Sequence, residues 1–270
     1  MKLGYIDYLN CYPFYHHMFR KEPLNNTIVP RYPGELNILM KNGQLDMSPI
    51  SAGAYPEMQE SVLLLPDFCL SSIGYVRSVV LQSKIPIEDL DGKKIGLTSA
   101  SKTSMVLLKI LLEKYYHLKP DYVPSRPDPD METIDAALVI GNEAMVETDR
   151  PLPYIYDLGD LWMRKTGFPV VFAVIAVQKK TAAESIEKIL EVSESFRLSL
   201  NDLQNNRRDV VQFAGEKYPH IKYDIDHYYN LLKFDFTADL KTALEFYFSE
   251  AASLGLLDPV KKINYIKVNG

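Results

Sequence analysis

The sequence predicts an α/β fold of two lobes with a ligand cleft between them, and three observations carry that expectation. Short apolar runs alternate with helical patterns through residue 177, the mark of strands covered by helices. Two long strand candidates, residues 75–82 and 170–177, bracket a second such alternation and read as natural crossings between lobes. From Thr181 onward the pattern is helical only. Residues 1–83 with 176–270 should therefore make a discontinuous first lobe that carries the C-terminal helices, and residues 84–175 the second lobe.

Each element has its own warrant. Residues 3–6 and 27–29 are short strand candidates, with one or two helical turns over 12–19 between them. Pro33-Gly34-Glu35 opens a helix that runs to Met40, and Asn42-Gly43 closes it, Pro in the first turn and Gly past the end being the usual punctuation. Residues 45–47 read as the next strand. The second unit begins near residue 84, with a tight turn at Asp91-Gly92 and a strand over 93–97. The polar run 99–104 leads into a helix from about Thr103 to Tyr116 that is apolar nearly all round, which predicts burial against a sheet. Pro120, Pro124, Pro127 and Pro129 predict an extended loop. Residues 134–140 and 170–177 are apolar enough to be buried strands. Thr181-Ala182-Ala183-Glu184 has capping-box spacing, and the stripes Ile186, Ile189, Phe196, Leu200 and Leu240, Leu244, Phe248, Ala251 mark two amphipathic helices.

Composition narrows the function. The chain has 270 residues with 30 Lys plus Arg against 35 Asp plus Glu, a net charge of -5, so no basic excess is available for a nucleic-acid backbone. The two cysteines, Cys11 and Cys69, lack the spacing of a disulfide framework or a zinc site. The histidines stand in no metal-ligand spacing, and no nucleotide-binding glycine motif or nucleophile elbow occurs, so no cofactor and no metal is implied. No apolar run is long enough for a bilayer, which argues against a membrane partner. The N-terminus carries no basic region followed by an apolar one, so a cytoplasmic place of work is expected.

What remains is a set of neutral polar clusters at the ends of predicted strands, where α/β sheets bind ligands. Tyr8-Leu9-Asn10 follows the first strand, and Ser48-Pro49-Ile50-Ser51 follows the third. Ser71 and Ser72 precede a crossing strand that carries Ser78. The run with Thr98, Ser101, Thr103 and Ser104 opens the buried helix, and Gly141-Asn142 follows the 134–140 strand. Hydroxyls and helix N-termini suit an anion, so the ligand predicted is a small carboxylated molecule. Ser101, Thr103 and Ser104 are expected to hold one carboxylate. Ser48, Ser71, Ser72, Thr98, Gly141 and Asn142 complete the candidate substrate-binding set.

The run Leu90-Asp91-Gly92-Lys93-Lys94-Ile95-Gly96, followed by a Ser/Thr-rich helix start, resembles the second-lobe opening of type 2 periplasmic-binding-protein folds. A fuller resemblance lies in Tyr8-Leu9-Asn10, Asp46-Met47-Ser48-Pro49-Ile50-Ser51, Leu97-Thr98 with Ser101 and Thr103-Ser104, and Leu138-Val139-Ile140-Gly141. To these are added residues 156–162, Thr166-Gly167-Phe168-Pro169 and Val171-Phe172-Ala173. Together they resemble the MqnA/MqnD family of menaquinone biosynthesis, and the last block is similar to its chorismate dehydratase branch. Asn142, Ala52 and Tyr75 depart from the residues common in that family.

The resemblance implies a cytosolic lyase that removes water from chorismate, giving 3-[(1-carboxyvinyl)oxy]benzoate in the futalosine route. It also implies Asn10 and one serine near the crossing strand, Ser78 ahead of Ser72, as the groups that orient substrate and assist the leaving hydroxyl. The neighbouring possibilities are the sister 1,4-dihydroxy-6-naphthoate synthase and a non-catalytic binding protein for a small aromatic carboxylate.

Overall fold

The computed structural model of the protein describes residues 1–146 and 151–267. In chain order, β1 (Lys2–Ile6) leads into α1 (Tyr12–Arg20), followed by β2 (Thr27–Arg31), α2 (Pro33–Lys41), β3 (Met47–Ser51) and the long β4 (Val62–Ser72). Then come β5 (Val79–Ser83), β6 (Lys94–Thr98), α3 (Lys102–Ile110), β7 (Asp121–Ser125), β8 (Ala136–Ile140) and β9 (Tyr154–Asp157). α4 (Leu158–Thr166) returns the chain to β10 (Val170–Gln178). α5 (Lys179–Glu184), α6 (Ile186–Asn205), α7 (Arg207–Lys217), α8 (Ile225–Leu231), β11 (Leu232–Asp235) and α9 (Ala238–Ser253) complete the described fold.

The strands form two sheets. A six-stranded sheet has the order β11-β4-β10-β3-β1-β2, and a five-stranded sheet the order β7-β6-β8-β5-β9. In the first, β1 is parallel to β2 and β3, while β10 runs antiparallel between β3 and β4. In the second, β6 is parallel to β7 and β8, and β5 is antiparallel to β8 and β9. Strands covered on both faces have no wet side, so alternation gives way to continuous apolar runs. That is why β8 is buried throughout and β10 over all but its last residue.

The same property corrects the expected crossing. Residues 170–177 do not pass between lobes; they are an inner strand of the six-stranded sheet. An apolar run reads alike in either place, because burial on two faces erases the period. The crossings are residues 73–78, between β4 and β5, and the α4 segment between β9 and β10. The boundaries at 83/84 and 175/176 shift accordingly. β5, placed by the sequence in the first lobe, pairs with β8 and β9, and residues 170–175, placed in the second, belong to the first sheet. Residues 147–150 and 268–270 of those ranges lie outside the described residues.

Proline explains two further differences. The proline-broken segment after residue 120 contains β7, which tolerates Pro124 because it is an edge strand; Pro30 sits in β2, the edge of the other sheet. The Ser48–Ser51 run is β3 itself rather than the loop after it. Pro49 is tolerated in this inner strand because β1 pairs with β3 only at Leu3 and Met47. Thr181 caps no helix: it lies inside α5, with its hydroxyl donating to Asp46 Oδ1 at 3.4 Å. β11 interrupts the all-helical C-terminal region and extends the first sheet beyond β4.

The two crossings touch. A methyl group on Gly159, at the start of α4, would lie 2.3 Å from the Gly74 carbonyl oxygen and 3.0 Å from Ser72 Oγ. Gly74 itself has φ +78°, a conformation that suits glycine. Backbone stands opposite backbone here, so a side chain has nowhere to go. Gly159→Ala should lower the unfolding free energy by about 1–3 kcal/mol, as overpacking does, measured by urea denaturation; an unchanged midpoint would show that the crossings separate freely.

Candidate active site

A cavity of about 470 Å³, counting its mouth, lies between the two sheets. The first lobe lines it with Tyr8 and Asn10, which follow β1, and with Ser51 at the end of β3; the second lobe faces them with Ser78, Ser101 and Ser104. Phe172, Leu70 and Ile140 supply apolar wall, and no residue of the lining carries a charge. Its lining has the make-up of a ligand site, mostly apolar with a few convergent polar groups.

Local chemistry places each group. Ser101 is the N-cap of α3: its Oγ accepts from the Ser104 backbone N–H at 3.3 Å and lies 3.1 Å from Ser104 Oγ. The cap leaves Ser101 and Ser104, both of the first turn, in the cavity lining. Asn10 Oδ1 is buried without a hydrogen-bond partner, and so is the Tyr8 hydroxyl. Buried polar atoms are normally paired, so Asn10 Oδ1 on the cavity wall marks a place where a ligand would complete the bonding, whereas the Tyr8 hydroxyl has the Glu143 carboxylate beside it. Burial, with the Glu143 carboxylate adding to it, pushes the Tyr8 phenol far above its ordinary value. It stays a neutral hydroxyl.

Ser78 owes its position to its neighbours. Arg77 has φ +70°, unusual for a residue with a side chain. Asp157, N-cap of α4, holds this turn: its carboxylate accepts from Val76 N at 3.1 Å, Arg77 N at 2.7 Å and Asp160 N at 3.0 Å. The Arg77 guanidinium donates to the Ala144 carbonyl at 2.6 Å, and the Gly141 N–H donates to the Ser78 carbonyl at 2.7 Å. Burial raises the Asp157 carboxyl above its usual value, although those three N–H groups pull the other way. Ser78 Oγ accepts a hydrogen bond from the Tyr228 hydroxyl at 2.7 Å.

Of the residues singled out from sequence, Asn10, Ser78, Ser101, Ser104 and Gly141 come together at the cavity. The other six stand outside its lining. Ser48 donates to the Pro49 carbonyl, Ser71 to the Lys233 carbonyl and Ser72 to the Gly74 carbonyl. Thr98 Oγ1 accepts from Ala100 N. Thr103 Oγ1 donates to the Phe172 carbonyl at 2.8 Å and accepts from Gly53 N at 3.0 Å, so it straps α3 to the first lobe. Asn142 Oδ1 accepts from Leu9 N at 2.9 Å, another bond across the cleft. The sequence reading passes over Tyr8 and Ser51, although both stand in the quoted runs. It misses Tyr228 altogether, since nothing in a helix far along the chain points to Ser78. Of the departures, Ala52 is buried in the core and Tyr75 half-exposed, both outside the lining. Among the described residues no three His, Cys, Asp or Glu side chains gather as a metal site.

Two α/β sheets with an uncharged cavity between them make a periplasmic-binding-protein-like fold. Solved structures agree. A protein of Archaeoglobus fulgidus is similar with a TM-score of 0.75 at 20% identity, covering 95% of this chain and 98% of that one. The alkanesulfonate-binding protein of Xanthomonas axonopodis pv. citri is similar with a TM-score of 0.69 at 11% identity, covering 98% and 96%. A family model described as menaquinone biosynthesis matches residues 1–253, and the chain belongs to that family. It is 34% identical over 197 residues to the chorismate dehydratase of Thermus thermophilus, covering 66% of this chain and 70% of that protein. It is 23% identical to the 1,4-dihydroxy-6-naphtoate synthase of Streptomyces coelicolor, covering 76% and 73%.

The clamp at Asp157 is testable without a ligand. Asp157→Asn keeps the shape but turns an acceptor into a donor that faces N–H groups. It should lower the unfolding free energy by about 1–3 kcal/mol, the penalty for unpaired buried donors. Chemical denaturation measures it, and a loss below the error of the fit would mean that the turn at Arg77 is held by other contacts.

Proposed function

We propose that the protein is a chorismate dehydratase, a hydro-lyase that converts chorismate to 3-[(1-carboxyvinyl)oxy]benzoate and water. The observation that carries the reading is Asn10 Oδ1, a buried, unpartnered amide oxygen in the same uncharged cavity as Ser78. The 34% identity to a chorismate dehydratase, against 23% to a sister synthase, supports the choice of reaction. The futalosine route and a cytoplasmic location belong to this reading and follow from the resemblance.

The chemistry asks little of the enzyme. Chorismate carries two carboxylates and a cyclohexadiene ring. The ring loses one proton, from the carbon that bears the enol-ether oxygen, and the neighbouring hydroxyl; the ring then becomes aromatic. Much of the driving force is therefore in the substrate. The protein has to hold the carboxylates, fix the ring in an eliminating conformation and stabilise the departing hydroxyl. The N-terminus of α3 with Ser101 and Ser104 takes one carboxylate. Asn10 and Ser78 hydrogen-bond the hydroxyl as its C–O bond breaks. Since the cavity wall contains no carboxylate, imidazole or amine, the carboxylate of the enolpyruvyl arm takes the ring proton and passes it to the departing hydroxide, which leaves as water. Ser78 keeps its own proton throughout.

Incubated with chorismate, the purified protein should form a product lighter by one water, seen by mass spectrometry; unchanged chorismate would sink the reading. Asn10→Ala should lower kcat about 10-fold or more, since it removes a side chain that orients the leaving hydroxyl, and a near-normal rate would remove it from the mechanism. Ser104→Ala should raise KM severalfold with little change in kcat. With Tyr8 neutral and no other titratable group lining the cavity, kcat should stay flat from about pH 6 to 9, between the ordinary carboxylate and Lys or Tyr ranges. A steep limb near neutrality, removed by replacing one His or Glu, would defeat the substrate-as-base step.

A further inference from the structure

We propose that Tyr228 is a positioning residue for the reaction, fixing the Ser78 hydroxyl as a donor aimed into the cavity. The inference rests on the chorismate reading and adds a residue to it that has no contact with the cavity. Tyr228 is fully buried on α8, which leads directly into β11 of the six-stranded sheet. Ser78 precedes β5 of the other sheet. Their 2.7 Å bond therefore crosses from lobe to lobe.

The direction of that bond matters. A serine hydroxyl has one proton to give and can accept as well. With the Tyr228 proton on its oxygen, Ser78 has its own proton left for another acceptor, and the cavity lies on its open side. Without Tyr228, the serine is free to turn its proton towards buried backbone and present only lone pairs to a leaving hydroxyl. The accepted bond also polarises the Ser78 O–H, because linked hydrogen bonds strengthen one another. The Asn10 side chain lies beside the same phenol, so the two groups assigned to the leaving hydroxyl share one buried neighbour. Burial pushes the Tyr228 phenol upward, against the smaller downward pulls of Ser78 and Asn10, so the hydroxyl keeps the proton it donates. Neighbouring Tyr229 differs: its hydroxyl donates to the Leu9 carbonyl and ties α8 to the turn after β1. One tyrosine secures the helix, and the other serves the serine.

The test is a double-mutant cycle on the full chain with chorismate as substrate: wild type, Tyr228→Phe, Ser78→Ala and the pair. Tyr228→Phe should lower kcat about 10-fold or more while KM moves by less than about threefold, the pattern of an interaction made chiefly in the transition state. If Tyr228 acts through Ser78, the double variant should be no slower than Ser78→Ala by more than about twofold, since residues that work as a unit are not additive. Fully additive losses, a kcat unchanged in Tyr228→Phe, or a Ser78→Ala variant of normal activity would each overturn the proposal. A second arm places fluorotyrosines of graded acidity at position 228. These keep the ring and hydroxyl and stand in for Tyr228→Phe should that variant fail to fold. With every phenol neutral, log kcat should rise with phenol acidity as the donor to Ser78 strengthens; a flat series overturns the proposal. Wild-type protein that leaves chorismate intact removes the functional reading and this proposal with it, whereas active wild type with a flat series and additive losses removes this proposal alone.

Discussion

A single carboxylate ties the architecture to the cavity. Asp157 stands where β9 of the second lobe gives way to α4, and it grips the N–H groups of Val76 and Arg77 in the other crossing. Cutting this link would free both connections between the sheets at once. The link also explains why Arg77 keeps a left-handed backbone: a conformation that costs of order 1–3 kcal/mol persists only where surrounding bonds over-determine it. Ser78 comes next in the chain, so the direction of its side chain is set by that turn. The glycine contact between Gly159 and Gly74 lets the two crossings approach closely enough for the carboxylate to reach.

Side-chain bonds across the cleft come from unlike partners, and four of them stand out. Thr103 reaches the Phe172 carbonyl, Asn142 the Leu9 N–H, Tyr228 the Ser78 hydroxyl, and Tyr32 the Glu143 carboxylate. Three are buried and the Tyr32 bond stands at the exposed rim. Each net contribution is about 0.5–1.5 kcal/mol for neutral pairs. Such a set is strong enough to define one closed arrangement and weak enough to be broken together by hinge motion at the crossings.

The sequence shows the fold class because alternation and helix punctuation are local. Pro33 and Asn42-Gly43 bound α2 within a residue of where it lies. What fails is whatever depends on a partner strand. Residues 170–177 look the same as a crossing or as an inner strand, and Ser48–Ser51 look like a loop although neighbouring strands pair them into the sheet. The candidate site follows the same rule. Asn10, Ser101 and Ser104 are legible because strand ends and helix starts lie together in the chain and in space. Thr103 has the same surface chemistry as its neighbours, yet its hydroxyl turns the other way, to the Phe172 carbonyl, a choice made by residues far off in sequence. Tyr228 carries no local signal at all.

A wall without charge also bears on how a catalytic cycle would end. On the proposed chemistry, substrate and product both carry two carboxylates, so an arginine or lysine in the cavity would grip them equally and slow departure. Hydroxyls, an amide and a helix end offer a weaker hold that depends on alignment. The product is a flat aromatic ring and lacks the hydroxyl that Asn10 and Ser78 address. Release then needs no counter-ion to be broken off: the reaction itself deletes the contact that distinguished the bound molecule, and the lobes are left with less reason to stay together.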